Sequence, residues 1–250
     1  MKIKQVFVWN WKTSWISIAV LALVLLGVNL VLIAAFSAAS VDGKTVRISS
    51  IDTAVVTMCF VGGLMSFASV LRFGGANGAS RRSVFGGTAA FAVTYSAALS
   101  LCCGALQLLF SGSEIIDNSM AFKYIYGAWL AERTAFAENC AWLIWTAVLC
   151  LTLFTLGYLM GGIFYRLGKL GKILFAAGVP SFLVVGVPVL ALILPRRLVQ
   201  GAVQLAVDIG TYCARSPMHA GAAAMVLVTV FLALSWLVMR RAPITPAQGN

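Results

Sequence analysis

The sequence predicts an all-α membrane protein of six transmembrane helices. An N-terminal interfacial amphipathic helix precedes them, and a short outer helix separates spans five and six. Three observations carry this reading. Of 250 residues, 61% are hydrophobic and only 10% charged, whereas a soluble domain is about half apolar and a quarter charged. The mean hydropathy is +0.98, so a bilayer has to supply apolar solvent that a compact soluble fold could not. The apolar residues also fall into six runs, each about as long as the ~20 residues a helix needs to cross ~30 Å of hydrocarbon.

The N-terminus comes first. Ile3, Phe7, Trp11 and Trp15 recur every fourth position with Lys4 and Lys12 off the stripe. The spacing predicts an amphipathic helix over residues 2–12, lying in the headgroup layer before the chain turns into the membrane. The run at about 14–36 is too long for a signal-peptide core and reads as a first span. A second span covers about 52–71 and a third about 84–110. The connection between them is rich in glycine, which permits sharp turns, and Ser80 is placed to cap the helix opened by Arg81 and Arg82.

The segment 111–139 mixes acids with Phe122, Tyr124, Tyr126 and Trp129, which suits the lipid interface. The fourth span, about 140–164, carries Gly157 and Gly161, a spacing that permits close helix packing. The fifth, about 173–194, is kinked by Pro180 and Pro188. Between Pro195 and Pro217, the residues Gln200, Gln204, Asp208 and Thr211 recur at helical spacing among apolar neighbours. This is an amphipathic outer helix, either re-entrant or flat on the surface. The sixth span covers about 219–239. Residues 1–241 thus form a single membrane domain, and 242–250, with Pro243 and Pro246, a disordered tail.

Charge sets the orientation. Lys2, Lys4, Lys12, Arg72, Arg81, Arg82, Arg166, Lys169, Lys172, Arg240 and Arg241 fall on one side. Lys44, Arg47, Lys123, Arg133, Arg196, Arg197 and Arg215 fall on the other. The cation excess marks the cytoplasmic side, so both termini are expected there. The acids Asp42, Asp52, Glu114, Asp117, Glu132, Glu138 and Asp208 all fall on the outer side. The charges lie between apolar runs rather than on one face, which excludes a nucleic-acid partner.

Several chemistries are excluded in turn. Gly43-Lys44-Thr45 resembles the end of a phosphate-binding loop, but the glycine that motif needs is replaced by Ala38. The chain is therefore expected to hold no nucleotide, metal or other cofactor of its own. No Asp, Glu, Lys, Arg or His occupies the core of a span, which argues against a self-powered, ion-coupled transporter. The same absence removes the ligands of a metalloprotease and the base of a serine protease. His219 sits at a helix end as an interfacial residue. The cysteines show no metal spacing; Cys59, Cys102, Cys103 and Cys150 read as small hydrophobes, while Cys140 and Cys213 both fall near the outer surface and could pair.

Two sets of residues remain as candidates for function. Gln200, Gln204 and Asp208, together with Ser96 and Ser100 on the third span, could line a translocation path; for the serines, interhelical hydrogen bonding is the alternative. Gly78, Ser80, Arg81 and Arg82 could form a docking knob on the cytoplasmic side; the alternative is a plain positively charged loop.

With these elements in order, the chain resembles the small permease subunits of ABC-2-type bacterial ABC transporters. The resemblance rests on the N-terminal helix, on Gly78-x-Ser80-Arg81-Arg82 opening the third span, on the fourth span running into Gly161-Gly-Ile-Phe-Tyr-Arg-Leu-Gly168, and on a hairpin at 195–217. It implies that Gly78, Ser80, Arg81 and Arg82 couple to an ABC ATPase subunit, present in two copies, which binds the ATP and Mg. It also implies a second permease subunit, as homo- or heterodimer, and a bacterial cytoplasmic membrane. Export is the expected direction. The long 111–139 segment departs from the family pattern. A non-transporting membrane accessory or sensor protein is the alternative function, and a lipid-headgroup enzyme is disfavoured by inner loops without acids or histidine.

Overall fold

The computed structural model describes residues 2–39, 51–110, 119–182, 189 and 196–242. The described part is helical, with no strand among the described residues. Its helices are α1 (Ile3–Ala39), α2 (Ile51–Ala76), α3 (Arg81–Phe110), α4 (Met120–Leu130), α5 (Ala135–Arg166), α6 (Lys169–Ser181), α7 (Arg196–Arg215) and α8 (Pro217–Arg240). Five of them, α1, α2, α3, α5 and α8, are long and apolar enough to cross a membrane. The chain is a multi-pass membrane protein. The expected fifth span corresponds to α6 only at its start; most of 182–194, including Pro188, lies outside the described residues, as do the Gly43-Lys44-Thr45 stretch and the tail from Pro243.

The first expectation to be revised concerns α1. No turn separates an interfacial helix from a first span, because one helix of 37 residues runs through both. At about 1.5 Å per residue this is roughly 55 Å, well beyond ~30 Å of hydrocarbon. The inward face also differs from the expected stripe. Val6 and Asn10 are buried, with Phe7 and Trp11 partly so, but Trp15 is 57% exposed. The reason is the neighbour: Ile3 and Val6 lie against Gly86 and Gly87 of α3, where only a hydrogen occupies the side-chain position. Further along, Ile18, Leu21, Leu25, Asn29 and Ile33 form the inward stripe.

The centre of the molecule is the seam between α2 and α5. A Cβ placed on Gly63, Gly157 or Gly161 would overlap the backbone carbonyls of Phe154, Phe60 and Leu64 respectively. The two helices therefore touch backbone to backbone, in parallel: Phe60 faces Gly157, Leu64 faces Gly161, and the Phe67 ring meets Tyr158 and Tyr165 at 5.1 and 5.9 Å. The third helix closes the core, with Phe91 and Tyr95 each packed within 5.9 Å of the Phe154 ring. Ser100 of α3 donates a 2.6 Å hydrogen bond to the Leu143 carbonyl of α5.

Which helix ends share a face follows from these contacts. Lys2 of the N-terminal segment reaches Asn77 after α2, and Arg81 at the start of α3 reaches Arg240 at the end of α8. We call this the basal end; α5, parallel to α2, also finishes there. At the opposite, distal end stand α4, the start of α5 and the start of α8, which together border an open apolar groove lined by Trp129, Trp145, Met218 and Met225. The described acids all sit at this end: Asp52 in the first turn of α2, Glu132 and Glu138 around the start of α5, and Asp208 on α7.

The segment expected at the lipid interface is only partly there. Within α4, Phe122 and Tyr126 are buried at 0% and 3% exposure against Trp145, while Tyr124 is 90% exposed. Burial raises the Tyr126 phenol above its ordinary pKa, offset in part by a hydrogen bond to Trp145. A Lys123–Glu138 ion pair of 3.3 Å and Arg133 stacked 4.9 Å over Trp129 tie α4 to the start of α5.

Candidate functional site

The basal end carries the residues singled out as a coupling element. After α2 the chain turns on Gly78, whose φ of +58° lies in the left-handed region open to glycine. The Ala79 amide donates to the Gly74 carbonyl (2.8 Å) and the Gly78 amide to the Gly75 carbonyl (3.3 Å), the paired closing bonds of a glycine-terminated helix. Two residues later Ser80 caps α3 as its sequence position requires: its Oγ accepts from the Ser83 amide at 3.3 Å and lies 2.9 Å from the Ser83 hydroxyl. Turn and cap thus hold the loop in one shape.

The two arginines diverge. Arg81 points inward, its Nη1 donating to the Met239 carbonyl at 2.9 Å and to the Arg240 carbonyl. These are last-turn acceptors of α8, where the negative end of the helix dipole favours a cation. Its role in the structure is to fasten α3 to α8. Arg82 is exposed, as are Gly78 and Ser80. On the far side of the loop Lys2 donates to the Asn77 carbonyl, and Trp9 stacks on Phe73 at 4.5 Å. The start of α1, the loop, and the end of α8 therefore form one fastened pad. Arg82, Arg72 and Lys4 project from it, all exposed.

The residues proposed for a path are not brought together. Ser96 and Ser100 are buried in α3 at 2% and 3% exposure, and the hydroxyl of Ser100 is committed to α5. Gln200, Gln204 and Asp208 lie on α7, a helix exposed along nearly its whole length. There Gln204 donates to Asp208 at 3.0 Å. Cys140 and Cys213 are both free thiols. His219 sits at the start of α8 with its ring stacked on Tyr212 at 4.4 Å.

Two uncharged polar residues of α1 lie buried where the charge pattern of the sequence gives no sign of them. Asn10 and Asn29 are 3% and 0% exposed, and the amide nitrogen of each has no hydrogen-bond partner among the described residues. An asparagine inside an apolar run is itself a readable signal, since an unpaired buried amide costs about 1–3 kcal/mol. Among the described residues no group of His, Cys, Asp or Glu is arranged to hold a metal ion.

Compared with known proteins, the chain matches no family model, no curated protein and no solved structure.

Proposed function

We propose that this chain is the transmembrane permease subunit of an ATP-driven ABC transporter, an exporter of the bacterial cytoplasmic membrane powered by a separate ATPase subunit in two copies. The observation that supports it best is the basal pad. A capped loop, fastened to both the first and the last helix, presents Arg82 outward on a rigid base. Force applied there would move α1, α3 and α8 as a unit, as needed to turn closure of an ATPase pair into a rearrangement of helices. A described bundle whose spans carry no Asp, Glu, Lys, Arg or His in their cores also fits a subunit that borrows its energy, with a second permease copy completing the transporter.

The same geometry supports six crossings with both termini in the cytoplasm. Helix α5 ends at the basal face and α8 begins at the distal face, and α6, described to Ser181, coincides with the start of the fifth run of apolar residues. The basal end carries the cation excess and the distal end the acids, which is the positive-inside arrangement with the basal end in the cytoplasm.

The test is association. Co-expressed with an ABC ATPase that co-purifies with the unaltered chain, the Arg82→Glu variant should lose at least tenfold in ATPase affinity, about 1.4 kcal/mol. Undiminished association and transport would remove Arg82 from the interface. Absence of any ATPase association with the unaltered chain would favour the accessory-protein reading. In a background with Cys140 and Cys213 changed to serine, Arg241→Cys should resist an impermeant thiol reagent in intact cells; labelling from outside would overturn the orientation.

A further inference from the structure

Between α1 and α2 lies a cleft of about 270 Å³. Its floor is formed by Asn10, Phe91, Tyr95 and Phe154, none more than 3% exposed. Its rim is exposed and consists of Thr13, Val61, Met65 and Ser69. At the basal end Trp9 closes it, its ring stacked on Phe73. The open side is therefore the flank of the bundle, where a membrane helix meets lipid.

Four polar groups of the cleft, those of Thr13, Ser66, Ser69 and Asn10, have a definite sense. Ser66 donates its hydroxyl hydrogen to the Gly62 carbonyl (2.7 Å), Ser69 to Ser66 (3.0 Å) and Thr13 to Trp9 (3.0 Å). Each hydrogen is used within its own helix, so each oxygen is left as an acceptor. Asn10 is the opposite case: its amide nitrogen is buried on the cleft floor with no acceptor among the described residues. The site thus calls for a molecule carrying both a carbonyl or ether oxygen and a hydroxyl. Among the described residues no Asp, Glu, Lys, Arg or His lines it, so a charged head would sit there unpaired at a steep cost.

We propose that the α1–α2 cleft binds the uncharged, hydroxyl- and carbonyl-bearing head of a single amphiphile drawn from the surrounding leaflet. The volume falls just below the ~300–1,000 Å³ of whole-ligand pockets. It accommodates a head and its adjoining carbons, with the remaining chain passing over Met65, 68% exposed, and Val61, 42% exposed. This inference does not depend on the permease reading, since binding requires neither ATP nor an ATPase.

The purified full-length chain in phosphatidylcholine nanodiscs is exposed to a monoacylglycerol with a diazirine in its first acyl carbons, and crosslinks are mapped by mass spectrometry. Labelling should concentrate in residues 9–17 and 58–69. Monoolein should compete at least tenfold better than anionic lysophosphatidylglycerol or cationic oleylamine. Gly62→Leu should abolish labelling: the three atoms nearest a Cβ there all belong to the Tyr95 side chain, its hydroxyl first at 3.6 Å, so the added side chain enters the cleft without striking backbone. Asn10→Leu should reduce labelling at least fivefold, with Asn10→Gln restoring part of it. Should Asn10→Leu not fold, the competitor series and Gly62→Leu decide. Equal labelling of lipid-exposed Leu23, Leu101 and Leu108, persistence of the signal in Gly62→Leu, or equal competition by the charged amphiphiles would each overturn the proposal.

Discussion

Two pairs of glycines, on α5 and on α7, show how differently one residue type is used in this molecule. Gly157 and Gly161 sit where any side chain would strike the α2 backbone; Gly201 and Gly210 have nothing within 4 Å of a added Cβ. Both helices are rich in small and aliphatic residues. Yet nearly half of the membrane-spanning window of α5 is buried, at 44%, while the described side chains of α7 are almost all exposed. Lipid tails are as apolar as leucine, so apolarity by itself does not drive one membrane helix against another; shape does. The α2–α5 seam has that shape because Gly63 answers Gly157 across it. Helix α7 has no such counterpart, and its narrow polar stripe keeps it from being absorbed into the core.

The sharpest way to break the comparison is to put a leucine on each helix. Gly157→Leu should force α2 and α5 apart and cost the fold at least about 3 kcal/mol, the upper range of overpacking, with loss of the monodisperse protein in gel filtration. Gly201→Leu should leave the elution profile and thermal midpoint unchanged. Comparable behaviour of the two variants would mean that the seam is not what holds the bundle together.

Smaller effects separate the two arginines of the basal pad. Arg81→Ala removes charge-assisted bonds to the last turn of α8 and should destabilise the protein by about 1.5–3 kcal/mol. Arg82→Ala, at an exposed position, should stay within about 0.5 kcal/mol. Thermal unfolding in detergent measures both, and equal losses would show that Arg81 is not a fastener. Ser100→Ala should cost about 1 kcal/mol through loss of its bond to Leu143. The smallest change is expected on α7, where Gln204→Ala should alter stability by less than about 0.5 kcal/mol despite its bond to Asp208. A loss above 1 kcal/mol would mean that α7 is anchored through its polar stripe.

Much of the candidate basal site was legible from local rules. The turn at Gly78 and the cap at Ser80 both follow from residue chemistry within a few positions. What the loop could not disclose is that its arginines part company, because the acceptors of Arg81 lie some 158 positions away, at Met239. Similarly, the helical spacing of Ile3, Phe7 and Trp11 identified a helix. Which face of that helix turns inward depends on what it packs against, and the glycines of α3 receive Ile3 and Val6.

From the sequence alone came the solvent of the protein, the course of its long apolar helices, and the separation of its charges along the chain. These depend on composition, on run length against the thickness of a bilayer, and on capping, all of which act locally along the chain. Tertiary structure decided the rest: which glycines face backbone, which arginine turns inward, that Phe122 and Tyr126 enter the core while Tyr124 stays outside, and that a cleft with Asn10 on its floor opens beside α1. Each of these depends on the position of a neighbour far away in sequence. In a chain that is apolar on almost every face, hydrophobic periodicity does not say where that neighbour lies.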